Sequence, residues 1–434
     1  MFFLLFLCYL IVFVLGLNSF RTRLNPVTAS TVGFVACMCV CFANYSKWKM
    51  DDFHLNTFLI LFFGSIGFAV GCLLVHLKYR KVHFAVDNYY RTFEVKNRYL
   101  FFYLIFVVAI LLSSFKYLID VTGADNISQA AFINYHAHFF EDDNTQYQLP
   151  LVLRLLKSNV MYLNYYFMFI LANKLVYKEP IKRYYVILLI CIVSSFAGLT
   201  SGSRGSLFEP IIYFYIVYSF LKNKKDGFKV GKKYNINNIV KLVVGGGFFI
   251  FLFVQAGSLF GRDTSEDDIQ GYIYAYVGAQ PKNLDLFMNE YHKPNTLPGS
   301  CTFGNLFSLF TNTKPLYELH SMRYVNGFGL GNVYTGYANY YYDFGVIGTI
   351  ILLFFLGVFF QYLYIKSMRS DGLQKDYFLF SIFLYAYFMQ GLILNFFGER
   401  VCLLFSPLTL KCIVVIYLFD YFVSHYTKYH ITRY

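Results

Sequence analysis

The sequence predicts an all-α polytopic membrane protein of about eleven (11–12) transmembrane helices, on three observations. First, of 434 residues 57% are hydrophobic, 22% aromatic and only 14% charged, against roughly 25% charged in an average soluble domain. At roughly 20 residues per crossing, that apolar content supplies on the order of ten to twelve spans. Second, apolar stretches without a sustained polar break recur along the whole chain. Third, basic residues fall unequally on alternate connections, as the positive-inside rule requires of a polytopic chain. Together these exclude an ordinary soluble enzyme and describe one integral membrane domain, 1–434.

The stretches run over 2–17, 26–45, 57–77, 99–118, 151–177, 184–199, 206–221, 238–259, 340–365, 377–397 and 401–424. The first lacks the basic n-region and small-residue cleavage site of a signal peptide, so it reads as a retained helix. The net charge of +13 would suggest nucleic acid in a soluble protein. Here it reports orientation, and no nucleic-acid partner is expected. One alternate set of connections carries 22 Lys and Arg residues and the other nine, although the poorer set contains the two longest loops. The richer side is assigned to the cytoplasm. The C-terminus is then inside and, with an odd helix count, the N-terminus outside.

Two outer segments exceed ordinary connections, 119–150 and the large loop 259–335, and such lengths usually carry function. Within the second, Leu284, Phe287, Met288 and Tyr291 recur at i, i+3, i+4 and i+7, one face of a short helix that lies on the membrane surface or packs on the bundle. No half of the chain repeats the other, which argues against a transporter built from inverted repeats. No P-loop occurs, and the inner segments are too short for a nucleotide-binding domain. The string Gly327, Gly329, Gly331 lacks the βαβ context of a dinucleotide site and reads as flexibility before the membrane return at Tyr340. The acidic runs 141–143 and 266–268 lack a regular ligand spacing, so neither metal nor cofactor is expected. Eight of nine cysteines lie in apolar runs, leaving Cys301 alone in a long polar segment, which permits no disulfide framework.

The informative feature is a set of outer arginines, where the positive-inside rule disfavours them: Arg204, Arg262, Arg323 and Arg400. Arg204 sits in Thr-Ser-Gly-Ser-Arg-Gly-Ser between two hydrophobic runs. That is the N-terminal end of a helix, where free backbone N–H groups and the dipole favour an anion, and small neighbours leave room for a phosphate. The competing reading is an interfacial arginine that snorkels to the headgroups. Arg154 and Lys157, three apart on one helical face, extend this basic wall or anchor to lipid. Candidate general bases on the same side are Asp263, Glu266, His292, His320, Glu399 and Asp343, and Glu209 is an intramembrane acid and so a functional candidate by default. Tyr272, Tyr274 and Tyr276 offer rings on which a sugar could stack.

At these residues the sequence resembles the O-antigen polymerases of the Wzy type, bacterial polymerases of oligosaccharide repeat units. The resemblance rests on the Asn25-Pro26 helix start, on Gly-Leu-Thr-Ser-Gly-Ser-Arg-Gly-Ser at 198–206, on Phe-Gly-Arg-Asp at 260–263, and on Thr-Gly-Tyr-Ala-Asn-Tyr-Tyr-Tyr-Asp-Phe-Gly-Val-Ile-Gly at 335–348. It implies a fold akin to the lipid-dependent membrane glycosyltransferases, usually with twelve helices, in the bacterial inner membrane and with its active site facing the periplasm. It implies transfer of a glycan from undecaprenyl pyrophosphate to an incoming lipid-linked repeat unit, without metal or cofactor, and with membrane lipid and a chain-length regulator protein as further partners. On this reading Arg204 and Arg323 hold the pyrophosphate with Arg262, Arg400 and Arg154 behind them, and His320 or Glu399 is the base. The alternatives are an O-antigen ligase, which uses the same donor, and a repeat-unit flippase.

Overall fold

The computed structural model describes residues 1–20, 22, 24–79, 89–92, 97–140, 147–201, 205–228, 269–290, 297–310, 321–369, 379–426 and 430–433. Over these the chain is predominantly helical, with two short antiparallel ribbons. The predicted span 238–259 lies outside the described residues, as do both acidic runs.

The first helices show how the sequence places them. Helix α1 (Phe2–Ser19) and α2 (Pro26–Asn44) are joined through Asn25, whose Oδ1 accepts from the Val27 and Thr28 amides while the Thr28 hydroxyl accepts from the Asn25 amide. This reciprocal cap, with proline at the first helical position, satisfies N–H groups that a helix start leaves open. The Asn25 Nδ2 donates to the carbonyls of Gly16 and Thr22 (3.0 and 2.8 Å), which fixes α2 against the end of α1.

Helix α3 (Leu55–Lys78) packs along the long helix α11 (Tyr337–Arg369) over glycines. A Cβ at Gly71 would collide with the Phe354 carbonyl oxygen, and one at Gly357 with that of Phe68. Small residues let membrane helices approach at backbone distance, where dispersion replaces the hydrophobic drive. Within α11, Gly345 has φ +66 and ψ −169, a conformation reserved for glycine, and it breaks the helix into two segments just after Asp343.

The remaining helices are α4 (Asn97–Thr122), α5 (Ile127–Phe140), α6 (Leu151–Val176), α7 (Tyr185–Ser195), which continues as a tight turn Phe196–Ser201, α8 (Gly205–Lys225), α9 (Ile269–Val277), α10 (Gln280–Asn289), α12 (Phe380–Leu394) and α13 (Pro407–Tyr426). Among the described residues five helices, α1, α2, α3, α4 and α11, are long and apolar enough to cross a membrane. That describes an all-α membrane-embedded protein. Other predicted stretches are helical but shorter or more polar: α12 has 15 residues, and α6 carries Arg154, Lys157 and Lys174.

Contacts between connections sort them into two ends. The Met1 ammonium rests on Asp52, Asn326 donates to the carbonyls of Trp48 and Lys49, Asn134 to Thr200, Asn305 to Leu403, and the Gly336 amide to Asn395. The N-terminus and the segments assigned above to the outer side therefore share one end, called here the loop end. At the other end strand β1 (Tyr89–Thr92) pairs with β4 (His430–Arg433), and the Lys225 ammonium reaches the Val176 carbonyl.

The pattern Leu284, Phe287, Met288 becomes α10, with those three residues buried; Tyr291 lies outside the described residues. The helix packs within the bundle rather than lying on the membrane surface. Its polar face is buried too, because partners from distant segments satisfy it. Lys282 Nζ bonds Asp285 Oδ2 at 2.8 Å, Asp285 also accepts from the His54 amide at 2.8 Å, and Asn283 donates to the carbonyls of Leu330 and Val333. The glycine string forms a hairpin, β2 (Arg323–Val325) and β3 (Phe328–Gly331), turning at Asn326 and Gly327 with φ +48 and +83. Two consecutive left-handed residues make the tight turn whose twist suits a hairpin.

Candidate functional site at the loop end

Of the seven residues assigned above to catalysis or pyrophosphate, Arg154, Arg323, Glu399 and Arg400 are described, whereas Arg204, Arg262 and His320 lie outside the described residues. So do Asp263, Glu266 and His292.

Glu399 sits in the turn between α12 and α13 with only 7% of its surface exposed. Its Oε1 accepts from the Tyr340 hydroxyl (2.9 Å) and the amides of Val401 (3.0 Å) and Cys402 (2.7 Å), and its Oε2 from the Leu403 amide (3.0 Å). It caps the short turn Cys402–Leu404 as an acidic residue caps a helix. Burial pushes its carboxyl above the ordinary carboxylate range, against these four hydrogen bonds, which draw it down. Sequence adjacency suggests a Glu399–Arg400 pair, but Arg400 turns the other way and reaches Glu209 of α8, Nη1 to Oε1 3.4 Å, with side chains 37% and 29% exposed. The guanidinium therefore retains most of its donors for another anion.

Arg323 opens strand β2. Its Nε donates to the Tyr334 hydroxyl at 2.7 Å, and its terminal nitrogens grip the Glu290 carboxylate. The Arg323 charge is spent inside the loop. Arg154 is exposed and bonds Gln148 (2.9 Å). Asp343 accepts from the Thr302 amide at 2.6 Å and the Cys301 amide at 3.1 Å, and so pins the large loop to α11 just before the Gly345 break.

Two cations are held on either side of the start of α8. Lys157 Nζ donates to the Thr200 hydroxyl at 2.7 Å, and Asn134 of α5 donates to the Thr200 carbonyl at 2.8 Å. Lys157 is thus held two residues before 202–204, and Arg400 is held at Glu209, five residues after Arg204. Sequence reasoning placed Arg154 and Lys157 together, yet only Lys157 faces this junction. Segments 127–140 and 196–201 meet through Asn134 and Thr200, and Arg400 of the turn 395–406 reaches Glu209 in the first turns of α8.

Sequence reasoning missed the polar aromatic layer beneath. Tyr165 of α6, Tyr213 of α8, and Tyr387 and Gln390 of α12 are all buried, and Gln390 Nε2 lies 3.5 Å from the Tyr165 hydroxyl. The signal was present, since a Gln inside an apolar stretch is a functional candidate. The chain matches no protein-family model, no curated protein and no solved structure.

Proposed function

We propose that the chain is a membrane glycosyltransferase of eleven crossings that polymerises lipid-linked oligosaccharide repeat units into a surface polysaccharide. It transfers the growing glycan from undecaprenyl pyrophosphate to an incoming lipid-linked unit at the periplasmic face of the bacterial inner membrane, the loop end facing the periplasm. The observation that supports this reading is the placement of Lys157 and Arg400 on the two flanks of the segment carrying Arg204. Breaking a sugar–pyrophosphate bond leaves concentrated negative charge, which guanidinium and ammonium groups at a helix start stabilise as it develops. A flippase would instead line its cations along a path between both ends. Here the described layer beneath Glu209 is made of tyrosines and Gln390; Lys411 of α13 is exposed, and Lys174, Lys224 and Lys225 lie toward the basic end.

The test is purified protein in proteoliposomes with synthetic lipid-linked repeat units, run on a gel. A ladder of products is expected. Transfer only to added lipid A core identifies a ligase, and units crossing the bilayer without a new bond identify a flippase. Arg204→Ala should reduce polymer by about ten- to over a hundredfold, from about 1.5–3 kcal/mol for one charge-assisted hydrogen bond, with Arg204→Lys rescuing only part because a point charge lacks the bidentate fork.

A further inference from the structure

The layer beneath the Glu209–Arg400 pair contains polar atoms that the free protein leaves unused. Tyr213 lies one helical turn further along α8 than Glu209. Its ring centroid is 5.0 Å from that of Tyr165, which lies 5.1 Å from that of Tyr387, both edge-on. The Tyr213 hydroxyl and the Gln390 carbonyl oxygen make no hydrogen bond, although their residues are 0% and 2% exposed. Buried polar atoms are normally satisfied, and leaving two orphaned between the same three helices costs stability. A partner absent from the free protein that brings hydroxyl donors and acceptors to this ring-lined layer would satisfy both.

Glu209 stands one helical turn above Tyr213 in this layer. Its one described hydrogen bond is the 3.4 Å contact from Arg400. Glu399, by contrast, spends both oxygens on its own turn. The geometry points to Glu209, the partly exposed acid over this layer, as the general base of the transfer, with the layer between α6, α8 and α12 taking up the hydroxyl-bearing sugar of the acceptor through Tyr213 and Gln390. This rests on the glycosyl-transfer reading above. In the step, the acceptor hydroxyl gives its proton to the Glu209 carboxylate as its oxygen bonds the donor's anomeric carbon. The bond from that carbon to the pyrophosphate oxygen breaks with its electron pair, polyprenyl pyrophosphate leaves beside Arg400, and Glu209 then loses the proton to water.

The experiment compares the wild type with Glu209→Gln, Glu209→Asp and Tyr213→Phe in the proteoliposome assay, measuring transfer rate, acceptor KM, retention of radiolabelled donor lipid and thermal stability. Glu209→Gln should slow transfer by about 10²- to 10⁴-fold, the usual contribution of a positioned base, while still retaining donor lipid, and Glu209→Asp should recover part of the rate. Tyr213→Phe removes an atom with no partner in the free protein, so it should raise acceptor KM several-fold without lowering the melting temperature. A wild-type rate in Glu209→Gln, or an unchanged acceptor KM in Tyr213→Phe, overturns the inference while the polymerase reading stands. A wild type that makes no ladder overturns both.

Discussion

Replacing Glu399 separates a structural carboxylate from a reacting one. In Glu399→Ala the amides of Val401, Cys402 and Leu403 and the Tyr340 hydroxyl all lose their acceptor. Val401 and Cys402 are fully buried, so water does not replace the lost bonds without opening the turn. Two stranded donors at about 1–3 kcal/mol each give roughly 2–6 kcal/mol, and values above about 4–5 are exceptional for one substitution. A loss near 3 kcal/mol is therefore expected. Glu399→Gln keeps the three bonds on one oxygen but turns an amide NH₂ toward the Leu403 amide, donor against donor, and should cost about 1–3 kcal/mol. Thermal unfolding in detergent, with thiol labelling read at the Cys402 peptide by mass spectrometry, reports this because Cys402 lies in the turn and is buried. Both variants should melt earlier and expose Cys402, with transfer falling in parallel. The reasoning is refuted if Glu399→Gln abolishes transfer while melting and Cys402 protection stay at wild-type values, for the carboxylate would then be the base.

Further outcomes follow from the same contacts. Gly71→Val and Gly357→Val place side chains on carbonyls of the facing helix and should destabilise by about 1–3 kcal/mol or more, read as lost folded protein in size-exclusion profiles. Lys157→Met should lower polymer yield severalfold or more by releasing Thr200, whereas Arg154→Ala, whose partner is the exposed Gln148, should remain within about twofold on the same gel. Arg323→Ala frees Glu290 and Tyr334 and should make the hairpin loop sensitive to limited proteolysis, with Arg323→Lys intermediate. The raised Glu399 carboxyl means the folded chain holds that proton more tightly than the unfolded one. Its contribution is complete below the ordinary carboxylate range near about 4.3 and is lost as pH rises through the folded value. The melting temperature should fall across that window in the wild type, and this part of the slope should vanish in Glu399→Gln.

The helical class was legible because apolar run length is a one-dimensional property, and so was the grouping of connections, since the basic residues that sort them are local. Asn25-Pro26 is likewise a local signal, a cap whose donors and acceptors lie within three residues. The hairpin was legible in principle: Asn326-Gly327 between Tyr324-Val325 and Phe328 is a strong short-range turn signal, outweighed in the reading by the glycines that follow. Helix α10 was half legible. Its apolar face is periodic, but the burial of Lys282 and Asp285 depends on residues 51–54, whose approach no local pattern encodes.

The site was less legible because charge counts treat every arginine alike, whereas an arginine's availability depends on its partner. Arg323 is neutralised by Glu290, 33 residues earlier in the chain, and Lys282 by Asp285, so neither adds much field to the loop end. Arg400 meets Glu209 across 191 residues through one long contact, and Lys157 meets only the neutral Thr200 hydroxyl. Coulomb attraction follows the net charge presented rather than the number of cations, and two of the loop-end cations that keep charge to present, Lys157 and Arg400, lie beside the start of α8. On the proposed reaction, that is where the leaving pyrophosphate is drawn. The acceptor must then approach from the side that keeps its hydroxyl in line with the breaking bond, away from the phosphate. Glu209 carries the compensating charge for Arg400 before the pyrophosphate arrives and is released by it afterwards, free to turn toward the acceptor. Donor binding would in this way free the base, so a chain without donor would hold Glu209 paired and leave acceptor hydroxyls untouched.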